Sequence, residues 1–336
     1  MYKMPKLLFG LMLVLSLNSC SEEGVENDWT DDDLKGKVKS NTEVSYIAEE
    51  RFGEIEKGER QKENSFEATD IIMLYDENGN NIEESGYNSD GSSKYKYTHK
   101  FDENGNEIEE NRYRSNDLDV KIISKFADNG NRNEYFHYNS DGDLESMDNN
   151  KFDENGNMIE HNTYDPYGKL DFKHIYKRDE NGNMIEAAGY NSDGSLLDKM
   201  IRKFDEDGNT IEENAYNSDG EFVFQHTYKF DENGNTIEKK KYNSDGSLNY
   251  TDTYKFDKNG NNIESNYDYS DGYSNYRTTY EFDESGNKIE ENYYNSGALF
   301  DKYTYKYDEK GNWIEKIQFR FNVPKYIVKR EYEYYD

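Results

Sequence analysis

Past residue 75 the chain alternates large apolar and polar positions in short runs, and each run ends at a polar loop centred on glycine. Two loops recur, one typified by "DENGN" (Asp231–Asn235) and the other by "NSDGS" (Asn243–Ser247). Glycines of the first kind fall at Gly79, Gly105, Gly130, Gly156, Gly182, Gly208, Gly234, Gly260, Gly286 and Gly311, always 25 or 26 residues apart. The second kind supplies Gly91, Gly142, Gly168, Gly194, Gly220, Gly246, Gly272 and Gly297, with one copy missing where "RSNDLDV" carries Asp117. A fixed period sustained this long means one supersecondary unit stacked many times.

Each unit predicts two strands and two tight turns. Asn-Gly at Asn233-Gly234 predicts a two-residue type I′ hairpin, because both residues tolerate positive φ. That register sets Asp231 opposite Thr236 and Phe230 opposite Ile237. A three-residue turn at Ser244-Asp245-Gly246 pairs Asn243 with Ser247 and sets Tyr242 opposite Leu248. In the outgoing strand Leu248, Tyr250, Tyr254 and Phe256 share one face. Ile237 and Tyr242 are an odd five residues apart, so either a β-bulge lies between them within "EKKK" or Tyr242 points outward. The added twist of a bulge favours the first.

The expected fold class is therefore all-β. It is an antiparallel meander of about twenty strands from ten hairpin repeats of about 26 residues, curled into a spiral or barrel-like sheet with Tyr, Phe, Ile and Leu inward. Residues 75–336 form this repeat domain, and residues 40–74 predict N-terminal capping strands. The closing "KYIVKREYEYYD" predicts a terminal edge strand whose Lys329, Arg330, Glu331 and Glu333 discourage edge-to-edge pairing.

The N-terminus is a separate unit. Lys3 and Lys6 precede the apolar run Leu7–Leu17, which is too short to span a bilayer but suits a signal peptide over residues 1–19. With Leu17, Ser19 and Cys20 the stretch resembles a bacterial lipoprotein signal. That resemblance implies cleavage before Cys20, lipidation of Cys20 and attachment to a membrane. Residues 20–39, acidic and including Trp29, predict a flexible tether. Ser21 and the "SEE" after Cys20 resemble the signals of surface lipoproteins in Bacteroidetes-type bacteria. They imply an outer-membrane protein, lipid-anchored and facing the cell surface. Cys20 is the single cysteine, so no disulfide framework is expected.

Composition changes the picture in two ways. Only 32% of residues are hydrophobic, yet 32 are tyrosines, which supply the apolar area that aliphatics do not. The net charge of −31 repels phosphates and argues against a nucleic-acid partner.

"YKYDEKGNWIE" (Tyr305–Glu315) and "YKFDENGN" (Tyr228–Asn235) resemble the YD repeats of the RHS family, and the match recurs over residues 75–336. The resemblance implies strands spiralling into a shell or tube, with roles in toxin encapsulation, surface contact or glycan binding. No toxin domain follows the repeats and ten units are few for a closed cage, so encapsulation is not expected.

Candidate chemistry adds little. Counted from Asp205, the oxygen-bearing Asp205, Asp207 and Asn209 match the start of a calcium loop, but Thr210 stands where glycine is needed and Tyr216 where glutamate is. Turn chemistry explains the same residues without metal, and no metal site or cofactor is expected. His99, His137, His161, His174 and His226 fall mostly at different unit positions with no nucleophile pattern beside them, so no catalytic residue is named and the chain is not expected to be an enzyme. Trp313, beside Ile314, faces outward by alternation and is a modest binding candidate; the binding residues are otherwise unassigned. The expected function is that of a cell-envelope lipoprotein presenting an elongated scaffold for non-catalytic binding or adhesion, its ligand a glycan or a protein. The competing expectations are a structural spacer without a dedicated ligand, and an auxiliary component of an RHS-type toxin system.

Overall fold

The structure, a computed structural model, describes residues 27–61, 70–270, 272 and 275–336. They form 23 strands in one antiparallel sheet, preceded by a one-turn helix α1 (Asp28–Asp31). Consecutive strands pair along the repeat region, as a meander requires.

Both loops of a unit adopt the same turn. At the first, the Gly234 N–H donates to the Asp231 carbonyl at 3.1 Å and the Asp231 N–H to the Asn235 carbonyl at 2.9 Å. At the second, Gly246 donates to Asn243 and Asn243 to Ser247, both at 2.9 Å. Gly234 and Gly246 each have φ +81, while Asn233 is not in the left-handed region. The first loop is thus a three-residue turn closed by a left-handed glycine, and the two-residue type I′ expectation is corrected. Its leading aspartate decides the matter: the Asp231 carboxylate accepts the Asn233 and Asn235 N–H groups at 2.9 Å, stabilising the wider loop. Two-residue turns with both φ positive occur where the motif is cut short, at Ser115-Asn116, Phe321-Asn322 and Phe52-Gly53.

The bulges sit beside the turns and not within "EKKK". Between β15 (Phe222–Phe230) and β16 (Thr236–Asn243), Lys229 pairs with Glu238 and Phe230 with Thr236, which leaves Ile237 as the extra residue. Between β16 and β17 (Leu248–Phe256), Lys241 pairs with Tyr250 and Tyr242 with Leu248, which leaves out Asn249. Alternation from Glu238 to Tyr242 is unbroken, so Tyr242 does lie opposite Leu248 but points away from the Tyr228 face. The direct Phe230–Ile237 pair does not form. The equivalents of Ile237 at Ile82, Ile108, Ile159, Ile211, Ile263 and Ile289 are each more than a third exposed.

The sheet closes. β1 (Val38–Arg51) pairs on one side with β23 (Val323–Tyr334), from Val38 opposite Tyr334 to Ile47 opposite Tyr326. On its other side it pairs with β3 (Asp70–Tyr75), and its outer half pairs with β2 (Glu54–Arg60) as a hairpin. The result is a closed barrel of 22 strands, with β2 outside the ring. Two expectations change. The segment expected to cap the sheet completes it, and the C-terminal strand, paired with both β22 (Trp313–Arg320) and β1, is no edge. At about 4.8 Å per strand and a tilt of about 40°, 22 strands make a wall about 140 Å around, too wide for side chains to fill.

The seam is where the barrel is most densely packed. Leu34 and the fully buried Val38 and Tyr75 form its core, with Trp29, Met73, Tyr332 and Tyr334 packed against them. Residues 27–37 are therefore docked and not a free tether. The Trp29 indole N–H donates to the Val38 carbonyl at 2.7 Å, and the Tyr75 hydroxyl to Asp32 at 2.6 Å. Lys35 and Asn312 exchange two 2.8 Å hydrogen bonds across 277 residues of chain.

Candidate functional site

The two faces of the wall differ in chemistry. On one face the penultimate lysine of a unit's first strand meets the glutamate of its second. Lys229–Glu238, Lys100–Glu109, Lys151–Glu160 and Lys203–Glu212 pair at 2.7 to 2.9 Å, and four further units repeat the contact. The hairpin register, nine residues from lysine to glutamate, brings them together. That spacing is readable in every "K-F-D-x-x-G-N-x-I-E" stretch, and the register that sets Asp231 opposite Thr236 already sets Lys229 opposite Glu238. The lysine of each pair is exposed, so the pair contributes little on its own.

The opposite face is aromatic. It carries Tyr228, Tyr250, Tyr254, Tyr280 and Tyr305, and Tyr250, Tyr267 and Tyr276 continue as a run of ring contacts across β17, β18 (Asn262–Tyr269) and β19 (Asn275–Phe282). This is the concave face. Burial is the leading cause raising the hydroxyl pKa of Tyr135, Tyr176, Tyr228 and Tyr254. The lysine heads across the wall stand more than half exposed. Trp313 belongs to this inner face, against the outward expectation. The bulge falls on Ile314, so Trp313 pairs with Tyr307, meets Tyr305 edge-on and receives the Arg330 guanidinium 3.8 Å from its ring centroid.

All five histidines share the aromatic face, which their scattered unit positions concealed. Three of them gather around Asp148 of β9 (Leu144–Phe152). The Nε2 atoms of His137 and His161 lie 3.9 and 3.7 Å from its oxygens, and the His174 ring is 6.2 Å from that of His161. Burial lowers the pKa of all three. His99 differs: a 2.6 Å hydrogen bond to Glu107 raises it. Among the described residues no group of three His, Cys, Asp or Glu is placed to hold a metal ion. In the loop considered for calcium, Asp205 accepts the Asp207 and Asn209 N–H groups at 3.1 and 2.8 Å and the Asn209 side-chain amide at 3.1 Å. The side chain and then the backbone of Asn209 hold its carboxyl below the usual range. Those oxygens serve the turn.

The ends of the barrel also differ. The "DENGN" rim receives α1: the Trp29 N–H donates to the Gly79 carbonyl at 3.2 Å, and a methyl group on Gly79 would lie 2.7 Å from the indole. The far rim carries the "NSDGS" loops and the short turns, where Phe52, Tyr167 and Phe321 project with 107%, 93% and 63% exposure. Cys20 and the signal segment lie outside the described residues.

Neither face suits lipid. A lysine at the bilayer midplane of a membrane barrel costs about 2–4 kcal/mol, and the convex face repeats one in most units. The concave face carries Glu43, Glu84, Glu213 and Glu291. No helix among the described residues is long and apolar enough to cross a membrane.

No family model matches the chain, and no curated protein does. Among solved structures it is similar to the crystal structure of TcdB2-TccC3, at 13% identity and a TM-score of 0.31, over 79% of this chain and 20% of that one. The Photorhabdus luminescens Tc holotoxin pore is similar at 10% identity and a TM-score of 0.31, over 79% of this chain and 19% of that one. A porin-like protein from Bacteroides uniformis is similar at 7% identity and a TM-score of 0.28, over 89% of this chain and 99% of that one. The chain spans about a fifth of the toxin chains' length.

Proposed function

We propose that the protein is a lipid-anchored, non-catalytic binding scaffold of the cell envelope, held to the outer membrane through Cys20 and facing outward. The observation that carries this reading is the docking of residues 27–37 on the "DENGN" rim. A lipid on Cys20, seven residues before Asn27, holds that rim to the membrane and aims the opposite one away from it. The distal rim is where Phe52, Tyr167 and Phe321 stand exposed, and aromatic side chains present large contact area at low entropic cost. The ligand is a glycan or a protein.

Two experiments test the reading. Metabolic labelling with a fatty-acid probe marks the full chain and not Cys20→Ala, which leaves the membrane fraction; equal labelling of both overturns the anchor. Glycan arrays and protein pull-downs with the full chain give saturable binding that weakens in the triple variant Phe52→Ser, Tyr167→Ser, Phe321→Ser. No binding across both panels overturns the binding role in favour of a spacer.

A further inference from the structure

The unit that breaks the repeat also holds a cavity. The glycine missing from "RSNDLDV" is replaced by the tight Ser115-Asn116 turn, and beside it, at the distal rim, lies a cavity of about 560 Å³. It is lined by Tyr95 and Tyr97 of β5 (Ser93–Phe101), Arg112 and Arg114 of β6 (Glu107–Arg114), and Lys94 and Asp119 among others. Register makes the first four a compact array: Tyr97 lies opposite Arg112 and Tyr95 opposite Arg114, all on the concave face.

The tyrosines form a platform. Their ring centroids are 5.1 Å apart and their planes differ by 29°. Tyr95 is held in place twice. Its hydroxyl donates to Glu84 at 2.7 Å, and its ring lies over Gly86, where any Cβ would meet it at 2.2 Å. Gly86 is not left-handed, so its lack of a side chain serves to seat this ring. The cations stand at the edge of the platform. Arg112 is held by Glu110 at 2.5 Å and Arg114 by Asp119 at 3.2 Å, and each guanidinium has five donors, more than one carboxylate can take. Lys94, Arg112 and Arg114 against Asp119 is a cationic lining in a chain of 41 basic and 72 acidic residues.

We infer that this cavity binds a carboxylated pyranose chain, a uronic-acid-type oligosaccharide. The apolar faces of its sugar rings stack on Tyr95 and Tyr97, and its carboxylates take the guanidinium donors of Arg112 and Arg114 that Glu110 and Asp119 leave over. A neutral sugar would leave the remaining guanidinium donors without a charged partner, and an inorganic anion would leave the platform without a use. The inference rests on the binding reading above and supplies its ligand class.

The test is titration calorimetry of the full chain with oligogalacturonate, with a neutral galacto-oligosaccharide of equal length and with monomeric galacturonate. The charged oligomer binds saturably, at least about tenfold tighter than the other two, and added salt weakens it. The double variant Arg112→Gln, Arg114→Gln and the single variant Tyr97→Ala each lose about tenfold or more. Arg112→Lys, which keeps the charge and the fold, falls between, because an ammonium lacks the planar fork. Equal affinity for the neutral oligomer, or binding of oligogalacturonate unchanged in Arg112→Lys and Tyr97→Ala, overturns the inference. A different ligand held elsewhere on the chain overturns it too but leaves the scaffold reading standing, whereas the absence of any ligand sinks both.

Discussion

The seam and the repeated wall hold themselves together by different means. Six of the eight buried hydrophobic residues among those described, Leu34, Val38, Tyr75, Ile317, Ile327 and Val328, lie where β1, β3, β22 and β23 meet. The wall has only Ile122 and Ala188, and relies on ladder hydrogen bonds, tyrosine contacts and exposed ion pairs. A repeat unit needs only its neighbours, which resemble it. The closing strands instead join ends nearly 300 residues apart and must offset a large loop-closure entropy, which dense burial at one place can do. The wall is tolerant and the seam is not.

The sharpest way to break this contrast is to place the same charge in both regions. Val38→Asp buries an unpaired carboxylate and should cost about 4 kcal/mol or more, opening the barrel. Val223→Asp, on an exposed wall position, should change little. Thermal melts and small-angle scattering check both; equal effects would mean that the seam has no special standing. Next come matched glycines. Gly234→Ala forces a Cβ into the left-handed region at about 1–2 kcal/mol, with nothing else within 4 Å. Gly79→Ala adds a collision with Trp29 and Asn27, so its denaturant midpoint should fall clearly further.

Protonation sharpens the view of the wall's inner face. His137, His161 and His174 have folded pKa values below the ordinary 6.5, so the unfolded chain takes up protons first as the pH falls past 6.5. Stability contributed by their neutral forms is present above 6.5 and lost as the pH drops through the folded values. His99, raised by Glu107, acts in the opposite sense: its contribution is full below 6.5 and fades as the pH rises through its folded value. Denaturation between pH 7 and 5 should show net loss, and replacing these three half-buried histidines by glutamine should flatten the slope. The smallest effect is expected at the convex face, where Lys229→Ala removes one exposed pair and should move the melting temperature only within the resolution of a scan.

Much of the wall was legible in the sequence. The period, the hairpins, the second turn and the Tyr242–Leu248 pair follow from local chemistry that repeats often enough to be unmistakable. The first turn was misread because Asn-Gly outweighed Asp231, whose carboxylate commits the loop to three residues. That error hid the bulge at Ile237 and, at the equivalent Ile314, the orientation of Trp313. A barrel-like curl was one of the two expected forms, but the strands that close it were not legible. Trp29, Leu34 and Val38 are three apolar residues in a polar stretch, and only the return of β23 beside β1 gives them something to bury against. The Tyr95–Arg114 array left a trace, the missing glycine near residue 117, but no local rule converts a shortened turn into a cavity.

Strand parity carries a last consequence. In an all-antiparallel ring, direction alternates at every step, so only an even count lets the last strand meet the first correctly. One repeat unit contributes two strands. Copies can therefore be duplicated or deleted whole, changing the girth of the cylinder while the join between β23 and β1 keeps its orientation. A gene that gains or loses 26 codons here passes from one closable ring to another, whereas half that length would leave two ends running the wrong way.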